Sequence, residues 1–262
     1  NTDMPELPDL EVFSHNLSSQ LKGKQVKEVL VKNTKKLNVA TQELQESIDK
    51  QKIDRIYREG KELYFEFENK AILSMHMMLN GELHISKDEE IPKYTIIRLV
   101  FKGGVSLTLT DFRGLANVTL NPGTDDTPDA LAKEIDAQFL GEILANKKAA
   151  IKNILLDQHV IRGIGNAYAD EILWEAGISP FSAANKIPVP KLKALAKAMR
   201  HVLENAVKQI QSSRPGLISG EVRDFLKIHN PKKTHSPSGV PIQVKKTGAR
   251  KTYYTDEQEI FK

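Results

Sequence analysis

Between Gln25 and about Leu120 apolar and polar residues alternate with a period of two, and beyond that stretch the period changes. Leu63, Phe65 and Phe67 alternate with Glu62, Tyr64 and Glu66; Ile97, Leu99 and Phe101 behave alike, and Val105–Thr110 repeats the pattern. Successive strand side chains point to opposite faces, so this spacing predicts several short strands in a β-sandwich or barrel-like sandwich. Residues 8–22 precede it as a predicted helix. Pro8 suits a first helical position, Asp9 and Glu11 favour the N-terminal end, and Gly23 marks a stop. Leu10, Phe13, Leu17 and Leu21 would share its buried face. Residues 121–129, rich in Pro, Gly, Asp and Thr, read as a linker. Helical segments follow at roughly 130–157, 166–176, 188–211 and 219–228. Finally Ile242–Lys246 and Lys251–Thr255 flank Thr247-Gly248-Ala249-Arg250, a predicted β-hairpin with an arginine near its tip. The expectation is an α+β chain in three parts: a β-sandwich domain over 1–125, a helical domain over 126–230, and a hairpin over 231–262.

Composition narrows the function classes. The chain has 262 residues, 40% hydrophobic and 27% charged, enough to bury two cores and unlike a disordered chain. No apolar run approaches the roughly 20 residues of a membrane-spanning helix, and no export signal opens the chain. Cysteine is absent, which excludes disulfides and thiolate zinc sites and suits a reducing cytoplasm. Net charge is only +4, yet no acidic residue falls between Asp224 and Asp256, where Lys227, Lys232, Lys233, Lys245, Lys246, Arg250 and Lys251 lie. Such a stretch attracts a polyanion, nucleic acid first; a solvated basic tail is the other reading.

Three motifs carry possible chemistry. Met4-Pro5-Glu6-Leu7-Pro8-Asp9-Leu10-Glu11 serves a helix entry, but removal of Met4 would also leave Pro5 with a free secondary amine. An α-amino group titrates near about 7.7–8.0 against about 10.4 for lysine, so far more of it is neutral and nucleophilic at pH 7. It can attack an acetal-like sugar carbon to form an iminium, with Glu6 shuttling protons. Gly163-Ile164-Gly165-Asn166 suits a tight turn whose N–H groups approach a phosphate and whose asparagine caps a helix; an ordinary interhelical turn fits equally. Arg250 can fork two donors onto one phosphate, or simply be solvated.

Taken together, these motifs resemble the formamidopyrimidine-DNA glycosylase and endonuclease VIII family over nearly the whole chain. The opening Met4-Pro5-Glu6-Leu7-Pro8 is similar to the family's, in which a processed N-terminal proline is the nucleophile and the next glutamate is essential. Lys147-Lys148-Ala149-Ala150-Ile151-Lys152, with Arg162 to Pro180, resembles its helix–two-turns–helix module. The resemblance implies a base-excision-repair DNA glycosylase that removes oxidised bases and cleaves abasic sites through an N-terminal proline Schiff base. It implies Pro5, Glu6 and Lys61 as catalytic, and Lys152, Asn166 and Arg250 at the DNA. Leu79, Arg113 and Leu115 fall where the family inserts side chains into the gap left by an extruded base; core packing remains open for the two leucines.

Departures from the family matter as much. Its finger usually holds zinc with four cysteines; here the corresponding residues are His235, Ser238, Thr255 and Gln258, which lack the four strong N or S donors zinc needs. A zincless finger is expected, with no metal and no cofactor. The chain between Phe225 and Pro231 is short, so the loop that caps oxidised guanine in some relatives is missing. Damaged DNA is the expected partner and no membrane is expected; the protein should be a cytoplasmic monomer, nucleoid-associated if bacterial. Because Asn1-Thr2-Asp3-Met4 precede Pro5, the active form should begin at Pro5. A native leader would instead favour a non-catalytic damaged-DNA-binding protein of the same fold.

Overall fold

The computed structural model describes residues 4–262; residues 1–3 lie outside them. The described chain is α+β and divides into two compact units. One comprises the chain through Asp125 together with Ile210–Glu221, and the other comprises Asp126–Gln209 with Val222–Lys262. The segment Ile210–Glu221 thus belongs with the first unit, which nothing in its composition signalled.

In the first unit α1 (Leu7–Leu21) precedes β1 (Val26–Val31), α2 (Thr41–Ile48), β2 (Ile53–Glu59), β3 (Glu62–Phe67), β4 (Ile72–His76), β5 (Glu82–Ser86), β6 (Thr95–Phe101), β7 (Ser106–Thr110) and β8 (Asn117–Leu120). The strands form two four-stranded antiparallel sheets, β1-β6-β7-β5 and β2-β3-β4-β8. The period-two pattern is the reason: Leu63, Phe65 and Phe67 are fully buried while Glu62, Tyr64 and Glu66 stay half-exposed. Leu10, Phe13, Leu17 and Leu21 of α1 join the same core, each buried side chain contributing about 1.5–3 kcal/mol. The returning segment is tied down by two hydrogen bonds. Asn16 Nδ2 donates to the Leu217 carbonyl (2.8 Å), and the Ser219 hydroxyl accepts from Leu83 N (2.9 Å).

The second unit carries α3 (Ala137–Leu144), α4 (Ile151–Leu156), α5 (Asn166–Glu175), most of α6 (Val189–Ser213), β9 (Gln243–Thr247) and β10 (Arg250–Tyr254). The helix expected over 130–157 is two short ones, α3 and α4. The helix expected over 219–228 does not form. Its end is taken by Glu171, whose buried carboxylate accepts the N–H groups of Lys227 (2.8 Å), Ile228 (2.8 Å) and His229 (2.7 Å). Those donors serve a side chain instead of a helical ladder. Burial pushes the Glu171 carboxyl above its ordinary range despite these three bonds. Among the described residues no helix is long and apolar enough to cross a membrane.

Candidate functional site

The head of α1 is built around two carboxylates. Glu6 is the N-cap, its side chain accepting the backbone N–H of Asp9, while Asp9 Oδ2 accepts Glu6 N (2.9 Å). This reciprocal box satisfies donors a helix start leaves orphaned, with aspartate doing the work of the usual glutamate. It also fixes Pro5, which is buried immediately before it. Glu6 is 2% exposed and Asp9 fully buried.

Lys61 sits at the tip of the β2–β3 hairpin in a two-residue loop, since Glu59 pairs with Glu62. Gly60 takes φ 55° at the first loop position, a left-handed conformation that suits glycine. Register then sets His76 of β4 opposite Glu62, and the sequence reading missed this residue. Burial first, and the nearby Lys61 ammonium second, push its imidazole down to about 4. His76 Nδ1 accepts the N–H of Met78 (3.0 Å), so the neutral ring keeps its proton on Nε2. A histidine in a strand carries no signal until strand pairing sets it near a lysine.

The proposed wedge positions are not core residues. Leu79 is 37% exposed, Leu115 is half-buried and Arg113 is exposed. The loop bearing the last two closes on Asp111, whose carboxylate accepts the N–H groups of Arg113 (2.8 Å), Leu115 (2.8 Å) and Ala116 (2.7 Å).

In the second unit Lys152, Asn166 and the strand behind Arg250 come together. Asn166 is the first residue of α5 and Gly165 its cap, so the asparagine side chain is released from capping. Its Nδ2 donates to the Lys251 carbonyl (3.0 Å). Lys152, expected at the DNA, is instead 5% exposed and paired with the buried Asp170 (2.7 Å). Its ammonium also donates to Thr252 Oγ1 (2.8 Å) and the Lys251 carbonyl (3.3 Å). A buried lysine needs its counter-ion, so this ammonium faces inward. Asp170 further binds His229 Nδ1 (2.7 Å) and accepts Tyr253 N (2.9 Å). Arg250 itself is exposed, one residue beyond the Gly248–Ala249 turn.

At the four positions where the family resemblance places zinc ligands, the side chains do not fit a metal. Ser238 donates to Glu257 Oε1, and Thr255 Oγ1 donates to Glu257 Oε2 (2.9 Å). Ser236 Oγ (2.9 Å) and Trp174 Nε1 (3.1 Å) converge on that same Oε2. Gln258 is spent on Thr255 N (2.8 Å) and the Ile178 carbonyl (2.8 Å), and His235 on Thr234 (2.9 Å). Glu257, which the sequence reading also missed, is the hub. These donors, Ser238 first, draw its carboxyl down to about 2.

The models for the formamidopyrimidine-DNA glycosylase N-terminal domain and the formamidopyrimidine-DNA glycosylase H2TH domain match residues 4–118 and 127–215. A formamidopyrimidine-DNA glycosylase of Lactobacillus johnsonii is 31% identical, the match covering 79% of this chain and 78% of that protein. One from Listeria monocytogenes is 30% identical, covering 96% and 98%. The fold is similar to that of Lactococcus lactis Fpg in its complex with abasic-site DNA. There the TM-score is 0.86 at 23% identity, over 97% of this chain and 100% of the other. The same Lactococcus lactis protein with an oxidised-pyrimidine DNA gives 0.86 at 25% identity over the same shares.

Proposed function

This chain belongs to the formamidopyrimidine-DNA glycosylase family, and we propose that Pro5 is the nucleophile with which it excises damaged bases from DNA. It is a base-excision-repair DNA glycosylase with abasic-site lyase activity, and its glycosylase relatives do not favour the purely DNA-binding reading. Once Met4 is removed, the Pro5 amine attacks the sugar C1′, the base leaves, and the resulting iminium permits elimination of the flanking phosphates. Glu6 moves the proton at the opening sugar. Lys61 and the Nε2–H of His76 hold a phosphate near the lesion. Arg250 and the second N–H of Asn166 Nδ2 hold others, a contribution blind to sequence and sensitive to salt. Lys152 acts from behind, by positioning β10. A cytoplasmic monomer is the form this reading implies.

One observation carries the assignment: Pro5 directly precedes a helix cap made by Glu6 itself, so amine and carboxyl are fixed as neighbours. While Met4 remains attached, the Pro5 nitrogen is an amide without useful basicity. The test compares this chain with one whose mass shows that it starts at Pro5. Borohydride should trap a covalent DNA adduct only with the second form, and Pro5→Gly or Glu6→Gln should reduce it strongly. Equal trapping by the extended chain would remove Pro5 as nucleophile and bring Lys61 forward.

A further inference from the structure

No aliphatic or aromatic side chain lies between Tyr57 and Leu63, so apolar burial cannot by itself fix the tip from which Lys61 is presented. Arg58 occupies that stretch. It follows the buried Ile56 by two residues and pairs with the buried Leu63, so it shares their core-facing side of the sheet. Its side chain is only 5% exposed.

The guanidinium reaches two elements. Nε donates to Glu11 Oε2 of α1 (2.8 Å), and Nη1 donates to the Gly60 carbonyl (3.2 Å). That carbonyl belongs to the same planar peptide unit as the Lys61 N–H, so gripping it orients the backbone from which the lysine departs. Glu11 lies about one and a half turns along α1 from the Glu6 cap. One side chain thus ties the helix headed by Pro5 and Glu6 to the loop bearing Lys61, bridging 47 residues of sequence between Glu11 and Arg58. Stability alone does not ask for an arginine here. Apolar residues of similar volume commonly match or better a buried ion pair, whereas the planar fork of arginine fixes two partners at once. Attack at C1′ needs the amine and the phosphate-holding ammonium at a set separation. That separation serves the reaction best when it exists before DNA arrives.

We propose that Arg58 is a positioning residue that sets the spacing between the Pro5 amine and the Lys61 ammonium. This rests on the glycosylase reading above and adds to it a physical link between the nucleophile and the phosphate clamp.

A double-variant cycle on the chain that begins at Pro5 tests the link. Binding to a duplex containing a tetrahydrofuran abasic analogue is followed against salt for Lys61→Ala, Arg58→Met and the two combined. Arg58→Met should weaken binding about tenfold and lower the log–log salt slope by roughly one, as Lys61→Ala should. The combined variant should be no worse than Lys61→Ala, because a lysine already lost cannot be misplaced. Arg58→Lys keeps a charge beside Glu11 but not the fork, and should behave like Arg58→Met. Borohydride trapping on a pre-formed abasic site, at saturating enzyme, should be about tenfold slower for both Arg58 variants. Additive losses in the cycle would make Arg58 a support of the fold at large. Full affinity and rate in Arg58→Lys would show that charge alone suffices. Either outcome overturns the proposal. Should Arg58→Met fail to fold, Arg58→Lys completes the same cycle with Lys61→Ala. Failure of the unaltered chain to trap abasic DNA would sink the glycosylase reading and the link with it, whereas trapping with additive losses would sink the link alone.

Discussion

The β2–β3 and β9–β10 hairpins each turn in two residues with glycine first, Gly60 at φ 55° and Gly248 at φ 60°, and each sets a cation beside the turn. What holds them differs. The first hairpin is fixed by burial, with Leu63, Phe65 and Phe67 fully inside the core. The second has an almost wholly exposed β9, and only Thr252 and Tyr253 of β10 are buried. It is fixed by directed bonds: Lys152, Asn166 and Asp170 on Lys251, Thr252 and Tyr253, and the Glu257 hub behind the strands. Apolar burial is non-directional and tolerates small shifts, whereas a polar network depends on every member being satisfied. A cation on a hairpin that burial cannot hold therefore needs a counter-ion lattice of its own.

The sharpest way to break this contrast is at Asp170. Asp170→Ala leaves Lys152 buried without its counter-ion and should cost about 3–5 kcal/mol in denaturant unfolding, similar to Phe65→Ala in the other hairpin. The two losses should differ in repair. Replacing both ions by apolar residues, Lys152→Met with Asp170→Leu, should recover much of the stability, since the pair itself contributes little net energy. If the double variant is no better than Asp170→Ala, the bonds to Thr252 and Tyr253 matter more than the charge.

A smaller effect is expected at Glu257. Glu257→Gln puts an amide donor where four donors converge, and should lower stability by about 1–2 kcal/mol and speed hydrogen exchange in β9 and β10. Acid should separate the two regions. His76 is held at about 4 against an ordinary 6.5, so the unfolded chain takes up its proton first. Its neutral form stabilises the first unit fully above 6.5, and that contribution disappears as pH falls to about 4. Glu257, at about 2 against an ordinary 4.5, contributes fully above 4.5 and loses its effect only as pH falls through about 2. Amide exchange followed through an acid titration should therefore show the sheet around His76 loosening before the β9–β10 hairpin. The reverse order would contradict both assignments.

The smallest change is expected from Arg250→Ala, which removes a side chain that the fold does not use. Stability should stay within about 0.5 kcal/mol. The log–log salt slope of DNA binding should fall by roughly one, the signature of one lost phosphate contact. An unchanged slope would place the DNA away from this hairpin.

What could be read from the sequence follows the range of the forces. The strands around Phe65 and Leu99 and the helix carrying Phe13 were legible, because one face of each is apolar and periodicity is local. The β9–β10 turn was legible from Gly248 between two strand-like runs. Residues 219–228 were misread, since the carboxylate that takes the N–H groups of Lys227 and Ile228 lies on a helix more than fifty residues earlier. The family resemblance alone puts Lys152 at the DNA; its counter-ion Asp170 is eighteen residues away, and only folding joins them. His76 and Glu257 were invisible for the same reason. Each acts through partners that sheet register or the finger's closure supplies.

The Glu257 hub has a chemical consequence for an enzyme that repairs oxidised DNA. Four zinc-bound thiolates would be points of attack for peroxide, which converts them to sulfenic acids and disulfides and expels the metal. In this chain the hub is a carboxylate held by three hydroxyls and an indole N–H, and there is no cysteine anywhere in the sequence. A peroxide burst that damages bases thus finds no thiol to oxidise here. The hairpin bearing Arg250 therefore depends on no thiolate that such oxidation could remove.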